Sequence, residues 1–197
     1  MDIMDRLRAV LRAEAEAILA VNVTDEFEQA VTLLKNSDGK VITTGIGKAG
    51  HIAKKFAATL CSTGTPADFL HPAEAAHGDL GLVSTNDVIV AFSTSGKSVE
   101  VLEMLELTRH LGVSSIIGIT SHPDSALREL SDLELDMGII EEPCPLGLTP
   151  SSTMAVMNAI SDALALALME AKGVTREEYG LRHHGGYLGR AARIDNT

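Results

Sequence analysis

Apolar positions in the first 37 residues recur at helical spacing. Leu7, Val10, Leu11, Ile18 and Val21 are separated by charged residues, which predicts a helix over 3–21. Thr24 can cap a second helix running to Leu34, with Phe27, Val31 and Leu34 on one side, and the turn NSDG at 36–39 ends it. From residue 40 the pattern changes to short β-branched and apolar runs: KVITTG at 40–45, then 67–70, 87–93, 115–120 and a weaker one at 133–140. Between them lie helical stretches at 48–62 and 98–111, a polar loop with a short helix in HPAEAAHGDLG (71–81), and a turn with a short helix in SHPDSALREL (121–130). The strand runs are apolar throughout and do not alternate, so they predict a parallel sheet covered on both faces. A long helix over 151–172 carries Met157, Ile160, Leu164 and Leu168 along one face, and Gly173 stops it. Thr175 and Glu178 form a capping box for one last short helix. The tail LRHHGGYLGRAARIDNT holds too many glycines and basic groups for a core element. The expected architecture is α/β: a three-layer sandwich with a five-stranded parallel sheet, flavodoxin- or Rossmann-like. It forms one domain over 1–197 with its core at about 40–190 and N-terminal helices over 1–37.

Composition narrows the partners. The net charge is −11, aromatics are 3% and Trp is absent. That argues against stacking on single-stranded nucleic acid and against anionic membranes, so neither nucleic acid nor membrane is an expected partner. Cys61 and Cys144 form no CxxC and no disulfide framework, which suits a reducing cytoplasm. Neither end reads as a targeting signal. The apolar stretch AVMNAISDALALALM is interrupted by Asn158, Ser161 and Asp162, so it reads as a buried helix.

In a parallel α/β sheet, ligands sit beyond the carboxyl ends of the strands. Three chemically suitable loops fall there: 45–50, 93–98 and 141–153. The second, STSGKS, offers the hydroxyls of Ser93, Thr94, Ser95 and Ser98 around Gly96, between a buried strand and a helix start. Hydroxyls, free N–H groups and the helix dipole make this a phosphate cradle. Turn serines and an N-cap are its ordinary alternative. Glu100 follows in the first helical turn. The first loop, Gly45-Ile46-Gly47-Lys48-Ala49-Gly50, matches GxGxxG, with Asp68 where a ribose-binding acid is expected in a dinucleotide site. Dinucleotide binding is nevertheless the minority reading, because the loop carries Lys48 and a second phosphate-type loop is present. The third loop, EEPCPLGLTPSST, is stiffened by prolines and holds Glu142 in extended geometry before Pro143. Among the histidines, His77 and His183 lie in glycine-bearing loops and are candidates for proton transfer. HPAEAAH and HGD lack the HExxH or CxxC spacing of a zinc site, so no metal is expected.

GIGKAGHIAKKFAATLCSTGTPADFLHPAEAAHGDLG, STSGKSVE, EEPCPLGLTPSSTMAVMNAISDALALALMEAKG and HHGGYLGR, in that order from about 40 to 190, resemble the sugar isomerase (SIS) domain of bacterial D-arabinose 5-phosphate isomerases. The resemblance implies a reversible aldose–ketose isomerisation of D-ribulose 5-phosphate and D-arabinose 5-phosphate through an enediol. Its product feeds 3-deoxy-D-manno-octulosonate synthesis for lipopolysaccharide or capsule. It implies a cytoplasmic homotetramer with sites at subunit interfaces, a small-molecule sugar phosphate as ligand, and no cofactor. Lys48, Glu100, Glu142 and His183 are its implied catalytic residues. Gly47, Ser93, Thr94, Ser95, Ser98 and His77 are its implied substrate-binding residues. Glu142 is the expected base, partly desolvated with a raised pKa, and Glu100 its alternate. Lys48 would stabilise charge on oxygen, and His183, from a neighbouring subunit, would shuttle protons or open the ring. The long form of the family continues into paired CBS modules, which this chain is expected to lack. The chain also departs from the family pattern at Ala49, Lys97, Arg182 and His184. A non-catalytic sugar-phosphate sensor and an isomerase of another sugar phosphate are the alternative readings.

Overall fold

The computed structural model describes residues 2–193. Its middle layer is a five-stranded parallel sheet of β1 (Val41–Gly45), β2 (Ala67–Phe69), β3 (Val88–Phe92), β4 (Ser115–Thr120) and β5 (Leu133–Asp136), in the order β2-β1-β3-β4-β5. The helices are α1 (Ile3–Leu19), α2 (Asp25–Asn36), α3 (Gly47–Ser62), α4 (Pro72–Ala75), α5 (Val99–His110), α6 (Ala126–Leu130), α7 (Ser152–Ala171), α8 (Arg176–Arg182) and α9 (Gly186–Arg193). A 3-10 turn covers Asp79–Leu82. The expected three-layer α/β sandwich is the one observed.

Side chains of a strand alternate between faces, and here both faces are covered. Val41, Val88, Val90, Phe92, Ile117 and Ile119 enter one core with Phe27 and Leu34 of α2, Phe56 and Leu60 of α3, and Met157 and Leu164 of α7. Ile42, Ile89, Ala91 and Ile116 enter the other with Val101, Met104 and Leu105 of α5 and Leu127 of α6. Phe56 meets Phe92 edge to face, with centroids 5.8 Å apart, and fixes α3 over the centre of the sheet. Two hydroxyls of β1 are buried but satisfied: Thr43 Oγ1 donates to the Ala53 carbonyl and Thr44 Oγ1 to that of Leu70, each at 2.8 Å. The apolar stretch 155–169 is a core helix, as expected: α7 buries Val156, Met157, Ile160, Leu164 and Leu168. By length and composition α7 is also long enough to cross a membrane.

Three elements differ from expectation. β5 ends at Asp136 and does not run to Ile140; the Met137 N–H still reaches the Thr120 carbonyl, but Gly138 at φ +78° turns the chain away. Thr24 stands at the N-cap of α2 without a side-chain cap bond. The glycine-rich tail is not loop after α8: Gly186–Arg193 forms α9, packed on α8 through small residues. A Cβ at Gly180 would lie 3.2 Å from that of Ala192, and Gly189 is buried. The capping box at the start of α8 is present, with Glu178 N–H on Thr175 Oγ1 at 3.2 Å and Thr175 N–H on Glu178 Oε2 at 2.8 Å.

Candidate active site

The order β2-β1-β3-β4-β5 reverses direction between β1 and β3, and a crevice opens beyond their carboxyl ends. Gly45 pairs with Phe92, so both strands end at the same level, about 4.8 Å apart. From β1 the chain enters α3 through Gly47, at φ +60°, a conformation that favours glycine. Lys48 follows in the first turn, exposed and without a hydrogen bond or ion pair among the described residues. Gly45 and Gly50 serve packing. A Cβ on Gly50 would lie 2.6 Å from the Gly45 carbonyl oxygen, so the pair lets α3 sit directly on the end of β1.

From β3 the chain enters Ser93-Thr94-Ser95-Gly96-Lys97-Ser98 and then α5. Ser98 is the N-cap residue of α5, yet its hydroxyl makes no cap bond; it meets the Ser93 hydroxyl at 3.1 Å. The first-turn N–H groups of this 12-residue helix therefore keep their donors for a ligand. Gly96, at φ +61°, gives the loop its reversal and lies against Ser125; a Cβ there would fall 1.9 Å from Ser125 Oγ. Glu100, in the first turn of α5, is exposed and unpaired among the described residues. Lys97 is exposed at the rim, its N–H 3.3 Å from Ser95 Oγ. His77, also exposed, lies between α4 and the 3-10 turn, and α4 leans on α5, so His77 borders the same end of the sheet.

Glu142 is held by the third loop at the start of α7. Its Oε2 accepts the N–H groups of Ser151 at 2.7 Å and Ser152 at 2.9 Å, and its Oε1 accepts that of Thr153 at 3.1 Å. Burial pushes its pKa up. Bonds from the Thr153 hydroxyl and from the backbone N–H groups of Ser151, Thr153 and Ser152 outweigh burial and hold it below the ordinary 4.5. The raised pKa expected of this glutamate is thus corrected: a helix N-terminus stabilises its charge. Two residues on, the Cys144 sulfur accepts the N–H groups of Thr149 and Leu148, each at 3.2 Å, which lower its thiol pKa to about 7.

α3 and α7 pack together and run the same way. Each starts at the carboxyl end of the sheet, and at the far end Lys172, just past α7, reaches Thr65, just past α3. Lys48 is therefore on the first turn of α3, and the Glu142 carboxylate is held against the N-terminus of the neighbouring α7.

His183 is not brought to them. Arg182 lies against Gly64, with a Cβ there 3.2 Å from its guanidinium, so α8 sits at the amino end of the sheet. The 16 residues of α3 put about 24 Å between the two ends. His183 is half-buried, stacked on Tyr179 at 4.1 Å, with Nδ1 3.0 Å from the Tyr179 carbonyl oxygen. A carbonyl only accepts, so Nδ1 carries the hydrogen and Nε2 is left for proton transfer.

Sequence reasoning passed over the turn after β4. Thr120, Ser121, His122 and Leu127 bond to the cradle, and Ser125 packs under Gly96. The signal was there: SHPDS, like STSGKS, is a hydroxyl-rich turn directly after a buried strand.

Fold and crevice define a doubly wound α/β protein with a hydroxyl-rich loop and an uncapped helix N-terminus at its switch point. The SIS domain profile matches residues 33–167, and the chain belongs to the SIS domain family. It is 42% identical over 192 residues to the arabinose 5-phosphate isomerase KdsD of Pseudomonas aeruginosa, covering 96% of this chain and 59% of that protein. It is 44% identical over 184 residues to KdsD of Francisella tularensis, covering 91% of this chain and 56% of the relative. The chain thus spans less than two thirds of these curated relatives. A Bacteroides fragilis structure, described as a phosphosugar isomerase involved in capsule formation, superposes with a TM-score of 0.92 at 43% identity, covering 94% of this chain and all of that one. The structure of c3406 from E. coli CFT073, in complex with arabinose 5-phosphate, superposes with a TM-score of 0.87 at 38% identity, covering 93% of this chain and 100% of that chain.

Proposed function

We propose that the chain is an aldose–ketose isomerase that interconverts D-ribulose 5-phosphate and D-arabinose 5-phosphate through an enediol. The observation that carries this reading is the placement of an uncapped α5 N-terminus beside Lys48 and a positioned Glu142. The relatives named arabinose 5-phosphate isomerase, and the c3406 structure solved with arabinose 5-phosphate, support the choice of substrate. The hydroxyls of Ser93, Thr94, Ser95 and Ser98 and the α5 N–H groups hold the phosphate, with Gly47 and His77 lining the sugar. Fixing the phosphate orients C1 and C2, and such positioning can supply about 7–11 kcal/mol of the barrier.

Glu142 removes the C1 proton of the ketose. Backbone N–H groups of Ser151, Ser152 and Thr153 fix the orientation of its carboxylate. Lys48 stabilises negative charge developing on the C2 oxygen. The enediol forms as that oxygen gains a proton; the aldose forms when C2 is protonated and the C1 hydroxyl gives up its proton. Protons move and no electrons leave the sugar, so no redox cofactor enters. Glu100, on the cradle side, is the alternate carboxylate. His183 is supplied by a neighbouring copy in a homotetramer and opens the ring or relays protons. The enzyme works in the cytoplasm, in supply of 3-deoxy-D-manno-octulosonate to lipopolysaccharide or capsule.

The test is incubation with D-ribulose 5-phosphate in deuterated water, followed by NMR. Arabinose 5-phosphate carrying deuterium at C2 is the expected product. Lys48→Ala and Glu142→Gln should fold and lose turnover by about 100-fold or more. Binding of the sugar phosphate without exchange at C1 or C2 would show a sensor instead, and full activity in Glu142→Gln would remove it as the base.

A further inference from the structure

The carbonyl oxygen of Thr94, in the middle of the cradle, accepts three hydrogen bonds from the turn after β4. They come from the Ser121 N–H at 3.0 Å, from Thr120 Oγ1 at 3.1 Å and from His122 Nδ1 at 2.9 Å. The next carbonyl but one, that of Gly96, accepts the Leu127 N–H at 3.0 Å. The turn therefore draws the Thr94 and Gly96 carbonyl dipoles of the loop to itself. A loop becomes an anion nest when its N–H groups converge and its carbonyls point elsewhere. A carbonyl swung back into the cradle would set a negative dipole against the phosphate.

Two of the donors on Thr94 are fixed by β4 itself: Thr120 is buried at the strand end, and Ser121 donates from the backbone. The third belongs to His122, an exposed side chain that reaches back over the turn. Its Nδ1 faces a pure acceptor and so carries the hydrogen. We propose that His122 is a positioning residue of the phosphate cradle, holding the Thr94 carbonyl out of the anion's seat through its Nδ1–H. The inference rests on the phosphate reading of this loop; His122 touches neither the sugar nor the reacting carbons.

The test compares the intact protein with His122→Ala and His122→Asn. The Asn amide nitrogen occupies the place of Nδ1 and can donate; Ala cannot. Inorganic phosphate is titrated calorimetrically onto each protein, and KM and kcat are measured with ribulose 5-phosphate. His122→Ala should weaken phosphate binding and raise KM by about five-fold, with kcat within about two-fold, the effect of one lost neutral hydrogen bond. His122→Asn should restore both, and the KM-against-kcat split excludes general damage to the fold. If His122→Ala does not fold, His122→Gln, with its donor one bond farther out, takes its place with the same expected loss. Phosphate affinity unchanged in the Ala variant, or equally poor in the Asn variant, overturns the inference. A wild-type protein that binds phosphate but isomerises nothing sinks the proposed reaction while calorimetry still decides on His122. One that binds no phosphate sinks both.

Discussion

Two half-buried glutamates show how surroundings set a carboxylate's task. Glu142 has its charge met by the α7 N–H groups, is ionised well below neutral pH, and its contribution to stability is lost only as pH falls below 4.5. Glu134, on edge strand β5, has its Oε2 buried without a partner among the described residues, and burial raises its pKa to about 6, against an opposing pull from Arg128. Its folded pKa lies above its unfolded one, so it favours the fold below about pH 4.5 and loses that contribution as pH rises through 6. Glu134→Gln should therefore stabilise the protein at pH 8, by at most about 1 kcal/mol once solvent screening is allowed for, and leave pH 4.5 unchanged. Thermal melts of both proteins at the two pH values check this; equal melting points at pH 8 would refute it. Cys144 gives a second prediction at this scale. With its thiol pKa near 7, iodoacetamide should modify it with a half-maximal rate at about pH 7 and abolish turnover, since it lies two residues from Glu142. Peptide mapping of the alkylated protein checks both the site and the midpoint. The type of each site residue was legible in the sequence. The charge state of Glu142 was not, because it depends on three N–H groups that lie nine to eleven residues away along the chain.

At the scale of elements, α3 is set by a backbone contact that a single methyl group destroys. With only 2.6 Å between a Cβ at Gly50 and the Gly45 carbonyl oxygen, Gly50→Ala must push the first turn of α3 off β1. Overpacking of this kind costs about 1–3 kcal/mol. Because Lys48 rides on that turn, kcat should fall by more than KM rises, which steady-state kinetics beside a denaturant melt will show. This contact also explains the GxGxxG pattern: two of its glycines let helix and strand touch and the middle one makes the turn, with no dinucleotide needed. The other elements were legible in proportion to how much of them is buried. The fully buried β1 and β3 read clearly as apolar runs, and α7 read clearly from its core face. β5 was read too long because Leu133, Leu135 and Met137 keep the pattern until Gly138 breaks the backbone. α9 was missed because it enters no core; Gly180, which looks like a loop residue, is where α8 meets Ala192 of α9.

At the scale of the whole molecule, one chain holds Lys48 and Glu142 at one end of the sheet and His183 at the other, about 24 Å away along α3. If all three serve one reaction, a second copy must bring its His183 to the first copy's crevice. The surface is suited to such pairing: Ile3 (73% exposed), Leu7 (54%) and Leu11 (68%) form a stripe at helical spacing on α1, turned away from α7. The decisive experiment mixes two inactive variants. In a Lys48→Ala chain His183 is intact, and in a His183→Ala chain Lys48 and Glu142 are intact. Unfolded together and refolded, they should regain activity, because random association gives roughly a quarter of the crevices an unaltered set of groups. The same mixing of Lys48→Ala with Glu142→Ala should regain almost nothing, since both lesions fall on groups contributed by one chain. Were His183 to act within its own chain, every crevice in the first mixture would keep one lesion, and the assay would read the sum of two dead enzymes. Recovery in the first mixture and not in the second thus separates a shared site from a private one without any assumption about the number of copies.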